Sequence, residues 1–352
     1  MQNRYTFVLL FSTLLNIILA ALVGYFYFYN IELATPVPLS EQEVKNYPLN
    51  DYAYDVLKKE TFTPQQMTFG EVLSENDEFE TRMFYYEVDD RKVSGLAHLP
   101  IEGTKHPVIV MVRGFVDHDI YAPGVGTRRA SEVFARAGYV TLAPDFLGYG
   151  ESDQASAVPL EDRFQTYPTV LQLLANIEKL NESLLKLDSR SGSGMTNYAD
   201  ENSVGIWGHS NGGQITLSVL EITGKSYPTV LWAPVTKPFP YSVLYFTDEF
   251  DDNGRYLRRV IADFEDDYDI ERFTLSNYLS WIQAPIQLHQ GGADDAVPIE
   301  WSTEFVDAAE EEDIDIEYFT YPSADHNLMP DWSTAVERSL SFFNNHLQSS
   351  SQ

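Results

Sequence analysis

The sequence predicts an α/β fold, a mostly parallel central sheet with helices on both faces, preceded by one transmembrane helix. Three observations predict it. From about residue 80 onward, short apolar runs with strand character alternate with amphipathic helical stretches. Residues 208–213 read GHSNGG, a serine framed by glycines between an apolar strand and an apolar helix start. Residues 5–29 contain no Asp, Glu, Lys or Arg and are almost wholly apolar.

That first segment is long enough to span, because about 20 apolar residues cross a hydrocarbon core of about 30 Å. Tyr25, Tyr27 and Tyr29 cluster at its far end, where amphipathic rings suit a membrane–water interface. Arg4 precedes it, and Glu32, Glu41 and Glu43 follow it. The positive-inside rule then puts the N-terminus in the cytoplasm and the rest of the chain outside. The competing reading is a cleaved signal peptide and a secreted protein. Against it stand the length of the apolar run and the lack of a clean A-x-A site. Residues 1–30 are thus the expected anchor. Residues 31–80, with Pro36, Pro38 and Pro48, read as a stalk and N-terminal extension.

Residues 81–352 form the expected body. Residues 82–88 and 92–99 read as paired strands joined by a turn at Asp89-Asp90. Residues 107–112 (PVIVMV) form a continuous apolar run, which suits a strand buried on both faces. Residues 127–137 read as a helix ended by Gly138, and 139–143 as the next strand. A long helix is expected over 166–187, a strand over 204–207 and a helix start over 214–220. Strands at 229–233, 286–289 and 316–320 and a closing helix at 334–347 complete the alternation. The insertion at 234–283, rich in Phe, Tyr and Asp, is too long for an ordinary connection, so it is expected to carry helices and act as a lid.

Composition narrows the function. Of 352 residues, 53 are Asp or Glu and 23 Lys or Arg, a formal net charge of −30, which argues against nucleic acid. There is no cysteine, so disulfides, thiolate metal sites and a cysteine nucleophile are excluded. The 44% of hydrophobic residues suffice for a core, so the chain is not globally disordered. In GHSNGG, Ser210 sits where a strand turns sharply into a helix, and glycines two residues either side let both approach without Cβ clashes. The backbone N–H of Asn211, next after the serine, is the expected first oxyanion-hole donor.

From about residue 90 to the C-terminus the chain resembles an α/β-hydrolase, most closely the prolyl oligopeptidase family and related esterases. The resemblance rests on PVIVMVRGF at 107–115, APDFLGYGESD at 143–153, GHSNGG at 208–213, HQGGADDAVP at 289–298 and ADHN at 324–327. It implies an α/β-hydrolase fold with a Ser210–Asp294–His326 triad in the chain order of that fold. Asp295 is the runner-up for the acid. It also implies that the second oxyanion donor is the N–H of Phe115, with Gly114 giving the loop room. Asp145, Gly148, Gly150 and Ser152 correspond to a scaffold turn beside the site. Arg113 replaces the usual histidine before the glycine. It is expected to bind a substrate carboxylate, to pair with Asp117 or Asp119, or to organise the loop. The other six histidines are expected to be structural.

The implied function is that of a serine hydrolase cleaving an ester or a peptide bond through an acyl-enzyme, a carboxylesterase or a prolyl-oligopeptidase-like peptidase. Residues 31–90 are too few for the β-propeller of true prolyl oligopeptidases, so a small ester or short peptide is the expected substrate. No cofactor and no metal is expected, and the membrane is the other expected contact, through the N-terminal helix. The alternative is a non-catalytic, membrane-tethered binding protein on the same fold. The presence of all three triad residue types argues against it.

Overall fold

The computed structural model describes residues 18–22, 24–25, 46–187, 197–247 and 250–348. It divides into two units, Met1–Tyr47 and Pro48–Gln352. Of the first unit, residues 18–22 and 24–25 are helical. The rest of the apolar segment expected to span a membrane lies outside the described residues. Among the described residues no helix is long and apolar enough to cross a membrane.

The second unit is built on nine strands: β1 (Thr68–Glu75), β2 (Phe79–Val88), β3 (Arg91–Pro100), β4 (His106–Val112), β5 (Val140–Pro144), β6 (Ala199–His209), β7 (Thr229–Trp232), β8 (Ile286–Gly291) and β9 (Ile316–Tyr321). They form one sheet in the order β1-β2-β3-β5-β4-β6-β7-β8-β9. The first three are an antiparallel meander, and β3 joins β5 antiparallel. From β5 to β9 all pairings are parallel. The β2–β3 turn is as tight as its sequence suggests. Val88 pairs with Arg91, and Asp89 and Asp90 both have positive φ, the geometry whose twist matches a two-residue hairpin.

Parallel strands need crossovers, and the crossovers place helices on both faces. The principal helices are α1 (Arg128–Arg136), α2 (Thr166–Asn176), α3 (Asn211–Thr223), α4 (Arg255–Asp267), α5 (Ile299–Glu311) and α6 (Trp332–Phe343). β4 shows the layering residue by residue. Val108, Val110 and Val112 join the core shared with α2, α3 and α5, whereas Ile109 and Met111 join the core shared with α1 and α6. All seven residues of β4 are buried, and after His106 the strand reads as an unbroken apolar run.

Three features differ from the sequence expectation. The compact unit begins at Pro48, well before residue 81. Leu49, Tyr52, Tyr54, Leu57 and Met67 are buried, and the Tyr54 hydroxyl meets Ser218 Oγ of α3 at 2.6 Å. β1 adds an edge strand with two register irregularities, and of its residues only Phe69 is buried. The helix expected over 166–187 breaks after Asn176, a poor helix former whose side chain accepts the Gln65 N–H and the Gln172 amide. The chain resumes as a short 3₁₀ turn and then Leu180–Leu185. The insertion at 234–283 carries α4 and several 3₁₀ turns. Its Phe239, Phe264 and Phe273 pack on one another and on Phe164.

Candidate active site

β6 delivers His209 to the sheet's carboxyl edge and α3 starts at Asn211, so Ser210 is the whole connection. It adopts φ 57° and ψ −124°, a strained conformation for a residue with a Cβ. The strain is held from both sides: Ser210 N–H donates to Trp232 O at 3.0 Å, and its carbonyl accepts the N–H of Val235 at 3.0 Å. The glycines are required by crowding. A Cβ on Gly212 would lie 2.2 Å from the Val112 carbonyl oxygen, so α3 can start against β4 only there. A Cβ on Gly114 would lie 2.9 Å from Ser210 Cβ and 3.4 Å from Ser210 Oγ, which places the 113–115 loop against the serine.

Asp294 and His326 arrive on the loops after β8 and β9 and meet. His326 Nδ1 stands 2.9 Å and 3.1 Å from the two Asp294 oxygens. A carboxylate only accepts, so Nδ1 carries the hydrogen, which leaves Nε2 with a lone pair in the neutral ring. The Asp294 side chain is fully buried. Burial alone would raise its pKa, but the His326 bond and the amides of Val297 and Ala296 outweigh it and hold the carboxyl below its ordinary value. Gln290 adds a fourth donor at 2.9 Å and is itself fixed by Ser302 at 2.8 Å. Asp295, the runner-up, is exposed and makes no bond to His326. Asp325 builds the histidine loop, its side chain accepting the N–H groups of Asn327 and Met329 at 2.9 Å each. Ser210 and His326 are not joined by a hydrogen bond in this resting arrangement, a looseness common before substrate arrives.

Both expected oxyanion donors are free of backbone partners. Asn211 N–H opens α3, where the first N–H groups have no intrahelical acceptor, and Phe115 N–H makes no backbone bond. A cavity of about 280 Å³ opens beside them, lined by Gly114, Phe115, Tyr149, Arg163, Asn211 and Gln214 among others. None of the described residues of the 234–283 insertion lines it. Ser242 of that insertion bonds two of the lining residues, its Oγ accepting from Gln214 Nε2 at 3.2 Å and from Arg163 Nη2 at 3.4 Å.

Arg113 organises the loop. It is buried, donates to Gly114 O and Asp145 O at 2.9 Å each, and lies over Tyr149 and Tyr121 at 4.1 and 4.7 Å from their ring centres. It pairs with neither Asp117 nor Asp119, because Asp145 and its neighbours surround the guanidinium first. Asp145 is buried and accepts from Ser94 Oγ at 2.5 Å and from the Tyr121 hydroxyl. Burial raises its pKa, and the Ser94, Tyr121 and Arg113 contacts counter it. The Asp145 turn is therefore a scaffold beneath Arg113. Gln290 and Tyr121 had no signal in the sequence.

The remaining histidines have structural partners. His289 is fully buried between Tyr321 and Gln287, and burial lowers its pKa to about 3. His209 stacks near His326 and donates from Nε2 to the His326 carbonyl at 3.0 Å, with a pKa lowered to about 4 by burial. His98 is likewise lowered to about 4 by burial. His106 holds Gly138 O at 2.8 Å, His118 stacks on Tyr149 and His346 holds Phe342 O at 2.9 Å.

Residues 194–350 match the prolyl oligopeptidase family. That stretch holds Ser210, Asp294 and His326. No curated protein sequence matches the chain. Among solved structures, acetyl xylan esterase 1 from Thermoanaerobacterium sp. is 17% identical with a TM-score of 0.55, over 84% of this chain and 93% of that one. The acylaminoacyl peptidase of Pyrococcus horikoshii is 20% identical with a TM-score of 0.56, over 77% of this chain and 42% of that one. A Bacteroides ovatus protein described as a dipeptidyl aminopeptidase IV is 16% identical with a TM-score of 0.57, over 77% of this chain and 36% of that one. The chain thus spans well under half the length of the two peptidases. At these identities the likeness is one of fold, the α/β-hydrolase fold.

Proposed function

We propose that this chain, resembling the prolyl oligopeptidase family and related esterases, is a serine hydrolase that cleaves a small ester by acyl transfer through Ser210, His326 and Asp294. His326 Nε2 takes the Ser210 proton as Oγ attacks the carbonyl carbon. The N–H groups of Asn211 and Phe115 stabilise the tetrahedral oxyanion, and loss of one such donor typically costs about 10²–10³ in rate. His326 then gives the proton to the leaving alkoxide, an acyl-Ser210 ester remains, and a water activated by His326 hydrolyses it. The observation that carries this reading is the buried, four-donor Asp294 holding the His326 imidazole on the same sheet edge as a strained serine. Support for a small ester over a longer peptide comes from the cavity, whose volume of about 280 Å³ suits a short acyl group.

Ser210→Ala is expected to abolish labelling by a fluorophosphonate probe while leaving the circular dichroism spectrum unchanged. Labelling of the alanine variant at the wild-type rate would sink the assignment. A panel of short-chain esters against aminoacyl and acyl-peptide anilides then separates esterase from peptidase.

The N-terminal segment we read as a retained anchor with the hydrolase outside the membrane, on the length of its apolar run. The full chain is expected to stay with membranes through an alkaline carbonate wash. Release of a shortened soluble chain lacking about the first 30 residues would show cleavage instead.

A further inference from the structure

Two guanidinium groups line the cavity beside the oxyanion donors, and they are in different states. Arg113 gives its two Nη groups to backbone carbonyls and lies over aromatic rings, although its Nε is buried without a partner. Arg163 stands on the helical turn Glu161–Phe164, and its Nη2 donates to Gln214 Oε1 and, at 3.4 Å, to Ser242 Oγ. Its Nε is buried without a partner, and no carboxylate lies within ion-pairing distance among the described residues. Asp162 lines the same cavity but is exposed and forms no ion pair with it. In a chain with 53 acidic residues, a half-buried arginine without a carboxylate partner, on the wall of the reaction cavity, is an unmet binding capacity.

The position says which part of the substrate meets it. Gln214 follows Ser210 by one turn of α3, about 6 Å along the axis. Phe115 and Asn211, the oxyanion donors, line this cavity, whereas His326, which protonates the leaving group, does not. The cavity is therefore on the acyl side. We propose that Arg163 binds a carboxylate carried on the acyl group, so that the preferred substrates are half-esters of short dicarboxylic acids. A guanidinium recognises a carboxylate by charge as well as by hydrogen bonds, in a way that a neutral ester tail cannot reproduce. This inference rests on the acyl-transfer reading above.

The test compares monoethyl glutarate with ethyl butyrate by titrating released acid, with monoethyl succinate and adipate as length controls. The wild-type enzyme is expected to favour the glutarate half-ester in kcat/KM by about tenfold or more. Arg163→Gln should lower the half-ester to neutral-ester ratio by about 10- to 100-fold, and Arg163→Lys should restore part of it. The preference should weaken as salt rises. An equal loss on both esters, or a wild-type preference for ethyl butyrate, overturns the proposal and leaves the hydrolase reading intact. Failure of the hydrolase reading shows separately, as fluorophosphonate labelling that survives Ser210→Ala. If neither ester is turned over, free glutarate must slow labelling of Ser210 in the wild type and not in Arg163→Gln. Absence of that protection also overturns it.

Discussion

Asp294 collects the amides of Ala296 and Val297 on one oxygen and the Gln290 amide on the other, with His326 Nδ1 in reach of both. Each donor stabilises the anion, and the anion fixes the tautomer of the base. Asp294→Asn keeps the shape but offers an NH₂ where a donor already points. Steady-state kinetics on a short ester should show kcat falling by about 10³–10⁴ with KM little changed. A loss of less than about tenfold would move the acid's role to another residue. Ser210, Asn211 and the glycines around them were readable in advance because the crowding of the elbow is written in consecutive residues. Asp294 and His326, the proposed acid and base, could be singled out only through the loops that carry them. Gln290, Tyr121 and the partners of Arg113 were not readable, since each pairing joins residues from separate loops with no shared pattern. Arg113 resolved to the loop-organising role among the three considered, by carbonyls and rings in place of the expected aspartates.

Among the elements, the parallel strands were the most legible. β4, β5 and β7 are buried along their whole length and read as mainly apolar runs, whereas β8 is equally buried but carries Gln287, His289 and Gln290. Residues 48–80 were opaque for the opposite reason. β1 has one buried residue in eight and no alternation, and the helical turn Tyr54–Leu57 is too short to show a period. Their prolines and polar residues resemble a linker, yet tertiary bonds tie them down. Tyr54 is locked against Ser218, Tyr167 and Tyr278, and Arg272 reaches back to Asp55 at 2.9 Å and Asn50 at 3.0 Å. Long-range pairing of this kind leaves no local trace in the sequence. The insertion at 234–283 shows the same limit, because its aromatic content announced helices and a core but not which surface they would cover.

At the scale of the whole molecule, folding stability should be coupled to proton binding through buried groups of opposite tendency. Burial lowers His98, His209 and His289, so between the ordinary value of 6.5 and about 4 the unfolded chain takes protons that the folded one refuses. Stability from these groups is present above about pH 6.5 and falls as pH drops. Burial raises the unpartnered Glu221 carboxyl, which acts in the other direction, stabilising as pH falls. A difference measurement isolates one group. The stability advantage of the wild type over His289→Gln, read by urea unfolding, should shrink as pH is lowered from 6.5 toward 4. A constant difference would mean His289 is not held neutral by the fold. The net charge of −30 repels copies of the molecule from one another at neutral pH, and acidification removes that protection. A second safeguard does not titrate away. The outermost strand, β1, breaks register twice against β2 and carries Glu71 and Glu75 beside its few apolar residues. A sheet is templated by a straight, uncharged border, and this one ends in a crooked acidic hem. A tenth strand from a neighbouring molecule finds few aligned backbone groups to continue, which blunts that border as a seed for fibrillar aggregation.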